Sequence, residues 1–441
     1  MSKEAKSGEV EKEFRPPFNR VVGGMLRLTD GGMYLTATMD VDDADKGVTL
    51  LVARVDAEGN ADANFGADGV ASTQVQMRSS SAFPMGVIRG SDGRVTAAVV
   101  VNRTIGLARF TAEGDLDSTF GDSGTITHIL DPLTSRPSGE SSSEVSYAYG
   151  MARSDAMSNG AFRAVGAMHG GIVPAPGGGA YFVRDMGFGG AGWSHLVRFT
   201  SNGRLDKSFG YGGAVRVQHP AYGTTVLLAV SHDMNADEGS RVVVAGWVGT
   251  FTNTKACVAR YDKSGHLDAD FGDEGFAVVE SPQGTSNTLF GAVHVTRDGN
   301  IFVSGWSNEG ERQAAILVGL DATGKPLLSF NQGQPVRLDL LEPDTKYDFR
   351  TSVAVQTDGK IVVVGQATNS KARTVDILVA RYLPDGSLDR NFGAPNGWTK
   401  INPFGRTDNW VLTSELAPDG KIVLAGGSFD STAGWVVRLS S

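Results

Sequence analysis

Residues 381–393 read RYLPDGSLDRNFG: a strand end of apolar, Arg and aromatic residues, a Gly turn, Leu-Asp, then Phe-Gly. The same run recurs as RVDAEGNADANFG from Arg54, RFTAEGDLDSTFG from Arg109, RFTSNGRLDKSFG from Arg198 and RYDKSGHLDADFG from Arg260. A decayed copy, GLDATGKPLLSFN, starts at Gly319 and lacks both the Arg and the Asp. The Phe residues fall at 65, 120, 209, 271, 330 and 392, which gives steps of 55, 89, 62, 59 and 62. A period of about 60 residues marks a repeat architecture.

A second motif interleaves with the first. VAVQTDGKIVVVG from Val353 is an apolar strand, an Asp-Gly turn and a second strand ending in Gly, the strongest short-range hairpin signal. Clear copies start at Glu415, His294 and Asp233, and weaker ones at Val173, Ile88 and Leu26, which makes seven. One unit is therefore strand A, strand B, strand C and, after Phe-Gly, strand D. Four short antiparallel strands at fixed period make a propeller blade. Seven A–B–C sets against six C–D connectors leave one blade short of its outer strand, and the chain stops in a strand C, WVVRLSS. The unassigned stretch EVEKEF near the N-terminus is expected to supply that strand and close the ring, hiding an edge that would otherwise template aggregation. The expected fold is an all-β, seven-bladed propeller of four-stranded blades in one domain spanning residues 1–441, with residues 1–19 as the closing arm.

The two motifs together resemble the delta-60 repeat, a bacterial repeat family, over about residues 20–439. The resemblance implies a β-propeller and implies no defined activity.

Composition narrows the function. A net charge of −9 and no basic run argue against nucleic acid as a partner. No stretch is long and apolar enough to span a bilayer. MSKEAKSGEVEKEF lacks the apolar segment of a signal peptide, so the cytoplasm is the default, with export by a signal-less route left open. The single cysteine, Cys257, sits at an apolar position of a strand C and reads as a buried, inert thiol. The seven histidines show no zinc spacing, and His294 falls on a strand A bordering the channel. DKSGHLDADFGDE from Asp262 carries several carboxylates but not the D-x-D-x-D-G pattern of a calcium loop, so Asx-type turn bonding is the better account. No nucleophile elbow or dinucleotide fingerprint occurs, and no cofactor is expected. The repeated Arg and Asp read as a structural clasp in each blade, and the Phe residues as plugs between blades.

Function is expected on the face where the motifs vary. The A–B and C–D turns repeat and share one face; the B–C and D–A connections vary and share the other, which is where binding is usually built on a rigid scaffold. The D–A connections offer Phe83, Tyr222, Phe290, Tyr347 with Lys346 and Arg350, and Trp410 with Arg406 and Asp408. The B–C connections offer Trp247, Phe251, Trp306, Glu311, Arg312, Met186 and Trp193. The anomalous step comes from residues 131–170, a Ser-, Pro- and Gly-rich insert bringing Tyr147, Tyr149, Arg153 and His169; such loops are either functional or disordered. Aromatic and Arg enrichment is the composition of an interaction surface. The leading expectation is a monomeric, non-enzymatic propeller that binds a macromolecular partner there. One alternative is a lectin-like propeller, in which Trp247, Trp306 and Trp410 stack on sugars. Another is a hydrolase or lyase at the channel mouth using Asp185, Asp348 or Asp408.

Overall fold

The computed structural model describes residues 6–39, 47–77, 82–101, 104–130, 171–185, 193–232, 241–250, 252–280, 287–310, 312–342, 344–417, 419–428 and 431–441, with the side chains of 185, 431 and 432 excepted. They form seven antiparallel four-stranded sheets, six of them in chain order from the channel outwards. Blades I to VI cover residues 24–75, 83–129, 172–217, 225–279, 287–338 and 345–401. Blade VII joins residues 409–439 to the N-terminal strand Val10–Phe14. That strand pairs with Ser431–Leu439, Phe14 opposite Val436 and Val10 opposite Leu439, so the ring closes as expected.

The final Gly of the A–B motif has a steric cause. In blades IV to VII the inner strand bulges against strand B, as between Leu227 and Ala229 or Val411 and Thr413. A Cβ on Gly246, Gly305, Gly365 or Gly426 would overlap an inner-strand carbonyl oxygen, that of Val226, Leu289, Asp348 or Trp410. A bulge steepens local twist and re-aims side chains. Blade VI carries the widest one: three residues lie between Asp348 and Ser352, against one between their partners Gln366 and Val364.

Cores form between blades. Tyr34, Leu50 and Phe65 of blade I bury against Val87, Val95 and Val99 of blade II. The six repeated Phe residues are all buried, as plugs between blades should be. The residue after each Phe sits at positive φ, 52° to 59° in Gly66, Gly121, Gly210, Gly272 and Gly393. In that conformation, cheap for glycine, its N–H reaches the next blade. Gly66 donates to Glu113 O at 2.7 Å, Gly210 to Ser264 O at 2.8 Å and Gly272 to Thr323 O at 2.7 Å. Asn331 holds the place in blade V and donates to Asp385 O at 2.8 Å.

The repeated Arg does more than the expected clasp within one blade. Nε of Arg109, Arg198 and Arg260 lies 2.7, 3.2 and 2.8 Å from Asp117, Asp206 and Asp268. Nη1 of the same residues donates to a carbonyl of the following blade: Ser201, Lys263 and Ala322. Each guanidinium thus ties its own C–D turn to its neighbour's.

Blade VII completes this pattern across the chain ends. Arg438 Nε lies 3.2 Å from Glu11 of the N-terminal strand, and its Nη1 donates to Ala57 O of blade I at 2.8 Å. Gly393 donates to Ser7 O at 2.9 Å, the bond its counterparts make to a C–D turn. Phe14 packs on Gly59 as Phe120 packs on Gly203. SGEVEKEF is therefore the second half of a seventh connector whose first half is Arg438-Leu-Ser at the other end of the chain.

Candidate functional site

Inner strands from all seven blades enclose a channel of about 940 Å³. Its walls are mostly small, apolar or hydroxyl residues, among them Ser231, Thr351, Ser352, Thr413 and Ser414. The two ends differ. Each inner strand runs from the variable face to the turn face. Phe83 and Trp410, at the start of their strands, put aromatic rings at the variable end. Arg27, Arg89 and Glu415, at the end of theirs, put charge at the turn end.

Glu415 is the one carboxylate in the described wall. Burial pushes it up to about 7, with Arg27 pulling the other way. Burial likewise holds the Arg27 guanidinium below its usual value, against the carboxylates of Asp419, Glu415 and Asp30. Neither residue was singled out in the sequence. His294 was; it stands half-buried on the inner strand of blade V outside the cavity lining, and burial lowers its pKa.

The residues expected on the variable face do not converge on one site. Trp410 lines the channel. Trp306 is half-buried and packs on a cluster of Val226, Leu228, Trp247 and Leu289. Trp247, at 6% exposure, is a core residue of that cluster and presents no ring face to a sugar. Tyr347 is also buried, in the inner strand of blade VI, where burial raises its pKa, and the Lys400 ammonium stands 5.7 Å from its ring. Both were expected as contact residues, and neighbouring blades cover them. Tyr222 meets the His219 ring edge-on at 4.7 Å with Lys255 above it at 5.9 Å. Trp193 lies under the Arg216 guanidinium at 4.4 Å. Tyr147, Tyr149, Arg153, His169, Met186, Phe251, Glu311 and the whole of 131–170 lie outside the described residues.

The proposed channel-mouth carboxylates are held elsewhere. Asp348 is buried and pairs with Arg350 at 3.1 Å; Asp408 takes two bonds from Arg406 at 2.9 Å each. Neither lines the channel. Asp185 ends the second strand of blade III, and its side chain is not among those described. Among the described residues no group of three or more His, Cys, Asp or Glu is placed to hold a metal. Asp262 instead accepts the N–H groups of Ser264 and His266 at 2.8 and 2.9 Å, an Asx-type turn. Cys257 is fully buried, which pushes its thiol up to about 12. A thiol so placed is no nucleophile at neutral pH.

A family described as a domain of unknown function (DUF5122) beta-propeller matches residues 90–120 and 356–392. Those segments hold the A–B turn, strand B, strand C and the connector up to the repeated Phe of blades II and VI. No curated protein matches the chain. Among solved structures it is similar to Sqt1 from Chaetomium thermophilum bound to the N-terminus of ribosomal protein L10, at 9% identity over 99% of this chain and 100% of that one, TM-score 0.48. It is also similar to the β-propeller domain of the Trilobed protease from Pyrococcus furiosus, at 8% identity over 95% and 94%, TM-score 0.42. A third is NanB sialidase from Streptococcus pneumoniae, at 9% identity over 100% and 71%, TM-score 0.40. Likeness at this level concerns the fold and is silent on activity. No helix among the described residues is long and apolar enough to cross a membrane.

Proposed function

We propose that the protein is a non-enzymatic binding propeller that takes a protein partner on the face of its B–C and D–A connections. The observation that carries this reading is how the polar and aromatic side chains there are held. Arg350 and Arg406 are fixed by Asp348 and Asp408 two residues away, and Trp193 by Arg216. Side chains already fixed lose little freedom on binding, so they supply contact area at low ordering cost. Catalysis has less support. Glycoside hydrolysis needs two carboxylates flanking one bond, whereas the described channel wall holds Glu415 alone. The lectin-like reading is weakened because Trp247, Trp306 and Trp410 occupy three different settings rather than one repeated platform.

The test is affinity capture of partners from the source cell, repeated with Trp410→Ala, Arg406→Ala and Trp306→Ala. A partner held on this face should bind at least about 30-fold more weakly to one of the three, as an interface hot spot does. Affinity that survives all three and collapses on substitution of Asp358 and Lys360 in an opposite-face turn would place the partner on the other side.

A further inference from the structure

The channel's turn end carries chemistry that partner binding on the opposite face does not use. Arg27, Arg89 and Glu415 come from three consecutive blades, I, II and VII; Arg27 and Arg89 hold equivalent positions and Glu415 stands one residue earlier on its strand, with Thr29, Ser91 and Ser414 also in the wall. Arg27 is the informative one. Its Nε and Nη1 are buried, and neither has a hydrogen-bond partner among the described residues. A guanidinium offers five N–H donors and cannot give up its charge. Burying such donors unanswered is costly, so the surroundings normally supply an acceptor. The neighbouring carboxylates do not supply it here. Asp30 faces Arg54 at 3.8 Å and Asp419 faces Lys421 at 3.4 Å, while Glu415 acts on Arg27 only through its field. Arg438 has its own carboxylate in Glu11.

We propose that the turn end of the channel is a binding site for an oxyanion, the carboxylate or phosphoryl group of a small molecule, with Arg27 as its principal anchor and Arg89 as a second cation at the mouth. The cavity has room for a metabolite-sized body behind the anionic group, and the wall hydroxyls of Ser231, Ser352 and Ser414 offer it donors and acceptors. Glu415 suits such a neighbour. Burial favours its neutral form, and a protonated carboxyl donates to an oxyanion instead of repelling it. Arg89 is exposed and shares a hydrogen bond with the buried Tyr34, which leaves it able to swing over an incoming anion.

The probes are inorganic phosphate and succinate, titrated into the full chain at fixed ionic strength with sodium chloride as the control. At tenfold excess over Kd, one of them should raise the melting temperature by about 1–2 °C beyond chloride. Phosphate alone doing so identifies a phosphoryl ligand, and succinate alone a carboxylate. Arg27→Gln should abolish the effect, Arg27→Lys should weaken it, and Arg89→Gln should raise Kd several-fold. Trp306→Ala, outside the described channel wall, should leave it intact, which separates this site from the partner face. If Arg27→Gln does not fold, the Arg89→Gln titration decides. The proposal falls if neither probe exceeds chloride, or if their effect is the same in wild type and in the Arg variants.

Discussion

Blade V suggests how the repeated clasp can be taken apart. It alone replaces the Arg with Gly319 and the Asp with Leu327, and its blade still forms. In blade VI the intact pair is the most buried of the set, with Arg381 and Asp389 side chains at 5% and 3% exposure. Nε and Nη2 of Arg381 each lie 2.9 Å from Asp389, and Nη2 also donates to Ser7 Oγ at 2.9 Å. Asp389 further accepts the Asn391 N–H at 3.1 Å, and Lys360 stands at 4.0 Å. Removing one partner strands the other as a buried charge, which costs about 3–5 kcal/mol; exchanging both for apolar groups is often near neutral.

Arg381→Met and Asp389→Leu should therefore each destabilise by about 3 kcal/mol or more. The double variant still loses the turn bond to Asn391 and the contact with Ser7, together about 2 kcal/mol at most. The coupling between the two sites should then reach about 4 kcal/mol, well above the error of additivity for independent sites. Urea denaturation of the wild type and three variants, followed by circular dichroism with slopes compared, completes the cycle. Single-variant costs that simply add in the double would refute the clasp as the source of stability.

The remaining expectations concern the ring, the channel and the bulges. Deleting residues 1–19 removes the outer strand of blade VII together with Glu11 and Phe14, so the melting temperature should fall by several degrees; an unchanged melting curve would show the arm is dispensable. Glu415 is held above its ordinary value, so ionising it opposes folding, and its contribution fades as pH rises from about 4.5 to about 7. Relative to Glu415→Gln, the wild type should lose about 2–3 kcal/mol across that window in urea midpoints taken at several pH values; parallel pH profiles would contradict it. Gly365→Ala drives a Cβ into the Asp348 carbonyl and should cost about 3 kcal/mol or more, whereas Gly310→Ala, with φ of 58° and open space around it, should cost about 1 kcal/mol; equal costs by denaturation would remove the bulge as the reason for the glycine.

Most of the architecture was legible because each repeated residue answers a local demand. Asp-Gly marks the A–B turn, the strand-B glycine marks the bulge, and Phe-Gly marks both the plug and the bond to the next blade. The seventh connector was harder to see. Its halves lie at opposite ends of the chain, and its second half conservatively replaces the diagnostic letters: Val10 stands for Leu116, Glu11 for Asp117 and Phe14 for Phe120. A longer carboxylate reaches the same guanidinium, so chemistry survives where the motif does not. The reach of each Arg into the following blade was also hidden, since no spacing within one repeat reports a contact with the next.

The site was less legible because burial depends on what the neighbouring blade supplies. Trp247 and Trp306 follow the same bulge glycine in consecutive blades, yet Val226, Leu228 and Leu289 cover the first and leave the second half-exposed. Comparing the copies with one another gives a sharper signal for the channel. Backbone bonds across the A–B turns align Leu28 with Gly90, Thr296, Gln356 and Ala417. Arg27 and Arg89 then occupy the place that His232, Val295, Val355 and Leu416 hold in other blades, and Glu415 the place of Leu26, Ile88, His294 and Ala354; of these only Arg27, Arg89 and Glu415 combine charge with a place in the described channel wall. A repeat tolerates apolar exchange at such positions because any fitting side chain fills the ring. Arg27 and Glu415, on adjacent blades and facing one cavity, bring desolvation that the fold alone does not require, and an anion beside the Arg27 guanidinium would offset its share.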